Sequence, residues 1–221
     1  MKLIKQLKFF KDFEPWYHKI LNDFDFKYKE DIHARDVLHE ILKNAISSEE
    51  IEESLKKFKA QFSVKKDILI YGCGPSLETT INLIIEEKTK DFFLNFINIA
   101  ADGASVLLRK KGIPINAIFT DLDGASQKEI KFSEFKIIHS HGDNIEKIKE
   151  SEDIIKSEQN VIGTTQTNPE DTLLLNPGGF TDGDRIIFFI RHLLTKHNRL
   201  FLIGMDFGKT IGIYSKPLIN L

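Results

Sequence analysis

DILIYGCGPSL, residues 67–77, decides how the rest of the chain is read. Asp67-Ile68-Leu69-Ile70-Tyr71 is a short apolar run closed by a glycine, the pattern of a buried strand. Gly72-Cys73-Gly74-Pro75-Ser76 then supplies a turn and a proline suited to a first helical position, ahead of a helix expected over 77–88. The same alternation recurs downstream. A strand ends at Ala100-Ala101, a helix follows over 104–111 and a strand over 117–120; further strands are expected over 135–140, 160–163 and 200–203, with a helix over 183–196. Near-continuous apolar strands separated by helices predict an α/β fold, a Rossmann-like, mostly parallel sheet flanked by helices.

Upstream of Lys66 the character changes. Residues 1–65 contain no glycine and are rich in Lys, Glu, Phe and Leu. Trp16, Ile20 and Phe24 are spaced as on one helix face, as are Val37, Ile41 and Ile46, and Ser47-Ser48-Glu49-Glu50-Ile51 resembles a capped helix start. Two regions are therefore expected: 1–65, about three helices packed as a cap, and 66–221, the α/β domain.

Composition narrows the function. The chain has 221 residues, 41% hydrophobic and 29% charged, with a net charge of −2, so it suits one sizeable core and offers no general attraction for nucleic acid. Of 31 basic residues 26 are lysine, which together with heavy Ile and Phe usage reads first as an AT-rich genome. A lone cysteine, Cys73, excludes an intrachain disulfide and suits a reducing compartment. No apolar run approaches the roughly 20 residues of a bilayer span, and MKLIKQLKFFKDFEPW lacks the apolar centre of a signal peptide. A cytoplasmic protein without membrane partners is expected.

In open parallel sheets ligands bind outside the carboxyl ends of the strands. Here those ends carry Gly72–Ser76, Ala101-Asp102-Gly103-Ala104, Asp121-Leu122-Asp123-Gly124, His139-Ser140-His141-Gly142-Asp143-Asn144, Gly178-Gly179-Phe180-Thr181-Asp182-Gly183-Asp184-Arg185 and Gly204-Met205-Asp206-Phe207-Gly208. A single Asp before a helix is ordinarily a cap. Several along one edge repel one another unless something cationic sits among them. Asp121 and Asp123, two residues apart on an extended backbone, would share a face, and Gly124 lets the chain turn away. With Asp143 as third contributor, such carboxylates suit Mg²⁺ bound beside a polyphosphate. Gly72 to Ser76 allow close backbone approach and end in a helix N-terminus whose N–H groups suit an anion. The dinucleotide pattern G-x-G-x-x-G fails at Leu77, and no G-x-x-x-x-G-K-[ST] occurs. Cys73 reads as a small packing residue. His139-x-His141-x-Asp143 begins as a zinc-hydrolase site would, but that pattern continues with His where Asn144 stands. One of these histidines suits a substrate phosphate and the other a structural role.

In this order GCGPSLE, AADGA, TDLDG, HSHGDN, GTTQ, GGFTDGDR and GMDFG resemble the archaeal MptE-like family of 6-hydroxymethyl-7,8-dihydropterin pyrophosphokinases, over residues about 66–215. AADGA and TDLDG are also similar to thiamin pyrophosphokinase motifs, but the C-terminal β-sandwich that carries thiamin contacts there has no counterpart. The resemblance implies transfer of diphosphate from ATP to the pterin hydroxymethyl group with release of AMP, a step of tetrahydromethanopterin or folate-type biosynthesis. It implies Mg²⁺ on Asp121, Asp123 and Asp143, and ATP contacts from Gly72, Gly74, Pro75, Ser76, Asp102, Gly103, His141 and Asn144. Asp102 would bind metal through water or accept the substrate proton. Arg185 would clamp phosphate or pair with Asp182 or Asp184. Asn176, Gly179, Phe180, Asp182 and Asp184 would hold the pterin, with Phe180 stacking on its ring or packing in the core. A homo-oligomer is compatible with this reading. The competing readings are a thiamin-type diphosphotransferase, a nucleotide-sugar-dependent protein related to glycosyltransferases, for which GPSL is the cue, and a non-catalytic nucleotide-binding module.

Overall fold

The computed structural model describes residues 2–8, 10–208 and 210–215; residues 216–221 of the expected second region lie outside the described residues. The N-terminal part forms α1 (Leu3–Gln6), α2 (Phe10–Phe24), α3 (Tyr28–Lys43) and α4 (Ser48–Val64). The expected helix start is a capping box on α4: Ser47 Oγ accepts the Glu50 N–H, and the Glu50 carboxylate accepts the Ser47 N–H at 2.8 Å. On α2 the inward face differs from the expected one. Trp16 and Phe24 are each 64% exposed, while Phe10, Tyr17 and Leu21 are buried. Both stripes have helical spacing; the buried one also carries a hydroxyl that reaches a buried carboxylate, Tyr17 to Asp31 at 2.6 Å.

From Asp67 the chain alternates as predicted: β1 (Asp67–Tyr71), α5 (Ser76–Lys88), β2 (Ile97–Ala101), α6 (Ala104–Lys111), β3 (Ile115–Thr120), α7 (Gln127–Phe132), β4 (Ser133–Ser140), α8 (Ile145–Glu150), α9 (Glu152–Ser157), β5 (Val161–Thr165), β6 (Leu174–Leu175), α10 (Asp182–Ile190) and β7 (Arg199–Ile203). All the described strands pair in parallel, in the order β6-β5-β4-β3-β2-β1-β7. Successive side chains point to opposite faces. Ile68 and Ile70 therefore join a core with α1, α4 and α10, while Leu69 and Tyr71 face α5 and α6. A third cluster packs α3, α7, α8 and α9 on Ile138, Val161 and Leu174.

α10 stops at Ile190, short of the expected 196: there the Leu193 N–H closes a tighter i→i−3 turn on the Ile190 carbonyl (2.7 Å), and farther on Asn198 Oδ1 takes the Thr195 N–H (2.7 Å) and hydroxyl (2.9 Å) in a second turn. Steps from β1 to β6 run in one direction, and α10 carries the chain back to β7 on the other side of β1. With the strands parallel, their carboxyl ends share one edge.

Candidate active site

A cavity of about 600 Å³ opens at that edge, a size suited to a small-molecule site. Its walls come from the turns after β1, β2, β3 and β4, the segment opening α10, the stretch after β7 and the entry to α3. Two non-glycine residues there take left-handed backbone angles, Asp102 (φ 37°) after β2 and Leu122 (φ 71°) after β3. Such angles are costly for L-residues and concentrate at functional turns.

Asp102 is held on both ends. Its N–H donates to the Phe119 carbonyl (2.7 Å), and its Oδ1 accepts the Thr120 hydroxyl (2.5 Å), which in turn accepts the Leu122 N–H (2.8 Å). Gly124 lies against the same carboxylate, where a Cβ would stand 2.1 Å from Asp102 Oδ2. Asp182 opens α10. The carboxylates of Asp102, Asp121 and Asp182 converge, with one oxygen of each within 4.8 Å of the others.

Arg185 lies beside this acidic group. It is 3% exposed, with Nη1 donating to Asp182 (3.1 Å) and Nη2 to the Phe180 carbonyl (2.7 Å). Burial pulls its pKa down, and Asp182, Asp184 and Asp121 push it back up. A guanidinium stays charged under such conditions. Of its two readings, the ion pair with Asp182 is the one formed, although Arg185 also lines the cavity. Three carboxylates against one guanidinium leave a formal excess of two negative charges. That all-oxygen donor set fits a hard divalent cation such as Mg²⁺.

The expected trio Asp121, Asp123 and Asp143 is not the group that converges. The left-handed Leu122 breaks the extended geometry that would have put Asp121 and Asp123 on one face, and the Asp123 N–H folds back onto Asp121 Oδ1 at 3.3 Å. Asp143 sits on the cavity rim with its side chain 69% exposed, 3.9 Å from His141 Nδ1. His141 Nε2 lies 3.2 Å from Asp121 Oδ2. Asn144 is buried and braces Asp121 from behind, its amide donating to the Asp121 carbonyl (2.8 Å) and the His139 carbonyl (2.7 Å). His139 is buried beside Thr164, and burial first, then Arg185 and His141, hold its imidazole well below the usual range. The two histidines thus have separate environments, and the metal-capable group among the described residues is all carboxylate.

Gly72, Cys73 and Gly74 line the cavity, whereas Pro75 and Gly103 sit behind it as the residues preceding α5 and α6. The N-terminus of α5 does hold an anion, but one from the chain itself: Asp206 Oδ2 accepts the Ser76 N–H (3.0 Å) and hydroxyl (2.8 Å). A phosphate at Ser76 would have to displace it. The Cys73 thiol donates to the Ala101 carbonyl (3.4 Å), and burial with Asp102 nearby pushes its pKa up to about 12. It is not a thiolate nucleophile.

Among the residues expected around the pterin, Phe180 and Asp182 face the cavity. Asp184 instead caps α10, accepting the Thr181 (2.7 Å) and Phe180 (3.0 Å) N–H groups. Asn176 is buried between the Thr167 carbonyl (2.9 Å) and the Gly178 N–H (3.0 Å), and Gly179 (φ 89°) packs on the Arg185 backbone. Phe26, Asp31 and Gln166, the last residue of GTTQ, line the cavity without having been assigned a role, and the Phe26 ring stacks 6.1 Å from that of Phe180. Asp31 had a legible signal: it shares the apolar stripe of α3 with Ala34, Leu38 and Leu42. For Phe26 no local signal exists.

Comparison with known proteins gives a consistent set. The family described as 6-hydroxymethylpterin diphosphokinase, MptE-like, matches residues 38–212. A protein of Methanocaldococcus jannaschii named 6-hydroxymethyl-7,8-dihydropterin pyrophosphokinase is 34% identical, the match covering 95% of this chain and 85% of that protein. Proteins of the same name from Pyrococcus furiosus and Methanothermobacter thermautotrophicus are 32% and 31% identical, covering 95% and 91% of this chain and 83% and 80% of their own lengths.

Proposed function

The chain belongs to the MptE-like family of 6-hydroxymethylpterin diphosphokinases, and we propose that it moves a diphosphate from ATP to the hydroxymethyl oxygen of 6-hydroxymethyl-7,8-dihydropterin, releasing AMP. The observation that carries the reading is the convergence of Asp102, Asp121 and Asp182 beside a buried guanidinium, in a cavity with an aromatic wall. Attack of the hydroxymethyl oxygen on the β-phosphorus forms one P–O bond and breaks the bond to the α-phosphate oxygen; the hydroxyl proton is released. Such transfers depend on positioning and charge neutralisation more than on covalent help from the protein.

Asp102, Asp121 and Asp182 would hold Mg²⁺, which when bound neutralises charge on the phosphate oxygens. We assign Asp102 to this set because its carboxylate, fixed by the Thr120 hydroxyl, converges with those of Asp121 and Asp182. Asp123 and Asp143 flank the group. Arg185 keeps the carboxylates together when no cation is present. The flat pterin ring suits the space beside Phe26 and Phe180, and Gln166 offers an amide to its edge.

The test is incubation with ATP and Mg²⁺ together with either the pterin or thiamin, separating nucleotides by chromatography. AMP formed only with the pterin is the expected result. ADP as product, or AMP only with thiamin, would overturn the reading.

A further inference from the structure

We propose that Asp31, in the first turn of α3, is a positioning residue for this reaction: through Gly142 it fixes the turn that braces Asp121. The inference rests on the function proposed above. Asp31 is 3% exposed, and none of the ion pairs among the described residues includes it. A buried carboxylate is costly unless hydrogen bonds satisfy it. Here Oδ2 accepts the Tyr17 hydroxyl (2.6 Å) and Oδ1 the Gly142 N–H (2.7 Å), across 111 residues of chain. Bonds from N–H to an ionised acceptor are among the stronger and more directional ones.

What Gly142 belongs to gives that bond its meaning. The turn 141–144 is closed by the His141 N–H on Asn144 Oδ1 (3.0 Å). From it, the Asn144 amide reaches the Asp121 carbonyl (2.8 Å), and the His141 ring reaches Asp121 Oδ2 (3.2 Å). Helix and turn pack closely: a Cβ on Gly142 would stand 2.7 Å from Glu30 Cβ and 3.4 Å from Asp31 Oδ1. A continuous chain of contacts therefore runs from Tyr17 through Asp31, Gly142 and the turn to Asp121. A packing role alone would be served equally well by an apolar residue, since the neighbouring stripe of α3 is apolar.

The experiment compares wild type, Asp31→Leu, Asp31→Asn and Tyr17→Phe in the full chain, measuring Mn²⁺ affinity by titration calorimetry, melting temperature, and kcat and KM from AMP release. Asn keeps an acceptor for the Gly142 N–H; Leu does not. Asp31→Leu is expected to bind Mn²⁺ roughly tenfold more weakly, as when an outer partner of a metal ligand is lost. Its kcat should fall about tenfold or more with KM for the pterin nearly unchanged. Asp31→Asn should recover most of both, and Tyr17→Phe should fall between. Wild-type Mn²⁺ affinity and kcat in Asp31→Leu would overturn the proposal, as would equal losses in the Leu and Asn variants. If Asp31→Leu does not fold, unchanged Mn²⁺ affinity and kcat in Tyr17→Phe overturn it. Mn²⁺ binding needs no pterin, so a wild type that binds the ion without releasing AMP refutes the reaction while the Asp31 comparison still stands or falls by itself.

Discussion

Gly124 shows how tightly single residues define the site. A methyl group there would stand 2.1 Å from Asp102 Oδ2, so Gly124→Ala must push a carboxylate of the converging group out of place. Its rate should fall by roughly a hundredfold, the cost of a misplacement near 1 Å, with the melting temperature little changed; an unaltered rate would show that Asp102 has no part in the chemistry. Cys73 is the opposite case. With its thiol pushed up to about 12, Cys73→Ala should keep its rate within about twofold and thiol reagents should inhibit little at pH 8. Loss of turnover in a folded Cys73→Ala protein would contradict this. At this scale the sequence showed which residues carry charge toward the strand ends, but not their rotation. One left-handed residue, Leu122, decides that Asp121 meets Asp102 and Asp182 instead of Asp123 and Asp143.

Elements with a clear apolar period were legible: β1 to β5, β7, α5 and α6 lie where the alternation predicted, within a few residues at their ends. Short ones were not. α7, α8 and α9 have six residues each and β6 has two, too few for any periodicity to register. The end of β4 carries a testable consequence. His139 is held neutral there by burial, with Arg185 and His141 adding to the effect. Its folded pKa lies below its unfolded value near 6.5, so the unfolded chain binds the extra proton first. The stability this neutral imidazole contributes is complete above about pH 6.5 and is lost as pH falls below that. Urea unfolding between pH 8 and pH 5.5 should therefore show stability declining toward acid, and His139→Gln should flatten the decline. An equal slope in both proteins would mean that His139 takes up its proton in the folded state as readily as in the unfolded one.

Across the whole molecule, α1 and α4 of the N-terminal part belong to the main core. Phe58 of α4 stacks on Phe135 of β4 at 4.8 Å and approaches Phe189 of α10 at 6.5 Å. Ile51, Leu55, Phe58 and Phe62 are all buried there; at about 1.5–3 kcal/mol for each such side chain they rival the roughly 5–15 kcal/mol that holds a domain together. A chain starting at Lys66 should accordingly show no cooperative thermal transition, and a sharp one would contradict the shared core. The same integration puts Phe26 and Asp31 at the cavity, contacts made over a hundred residues of chain and so invisible to local patterns. The proposed role of the converging carboxylates, holding a cation and phosphates, should come at some expense to the stability of the protein without them. Asp121→Asn tests it most directly, by melting temperature with and without MgATP and by rate of AMP release. The variant is expected to melt no lower than wild type in metal-free buffer, to gain much less on adding MgATP, and to lose roughly a hundredfold or more in rate. A variant that melts far below wild type without ligand, yet turns over normally once folded, would make these aspartates structural caps and rule out their role in metal and phosphate binding.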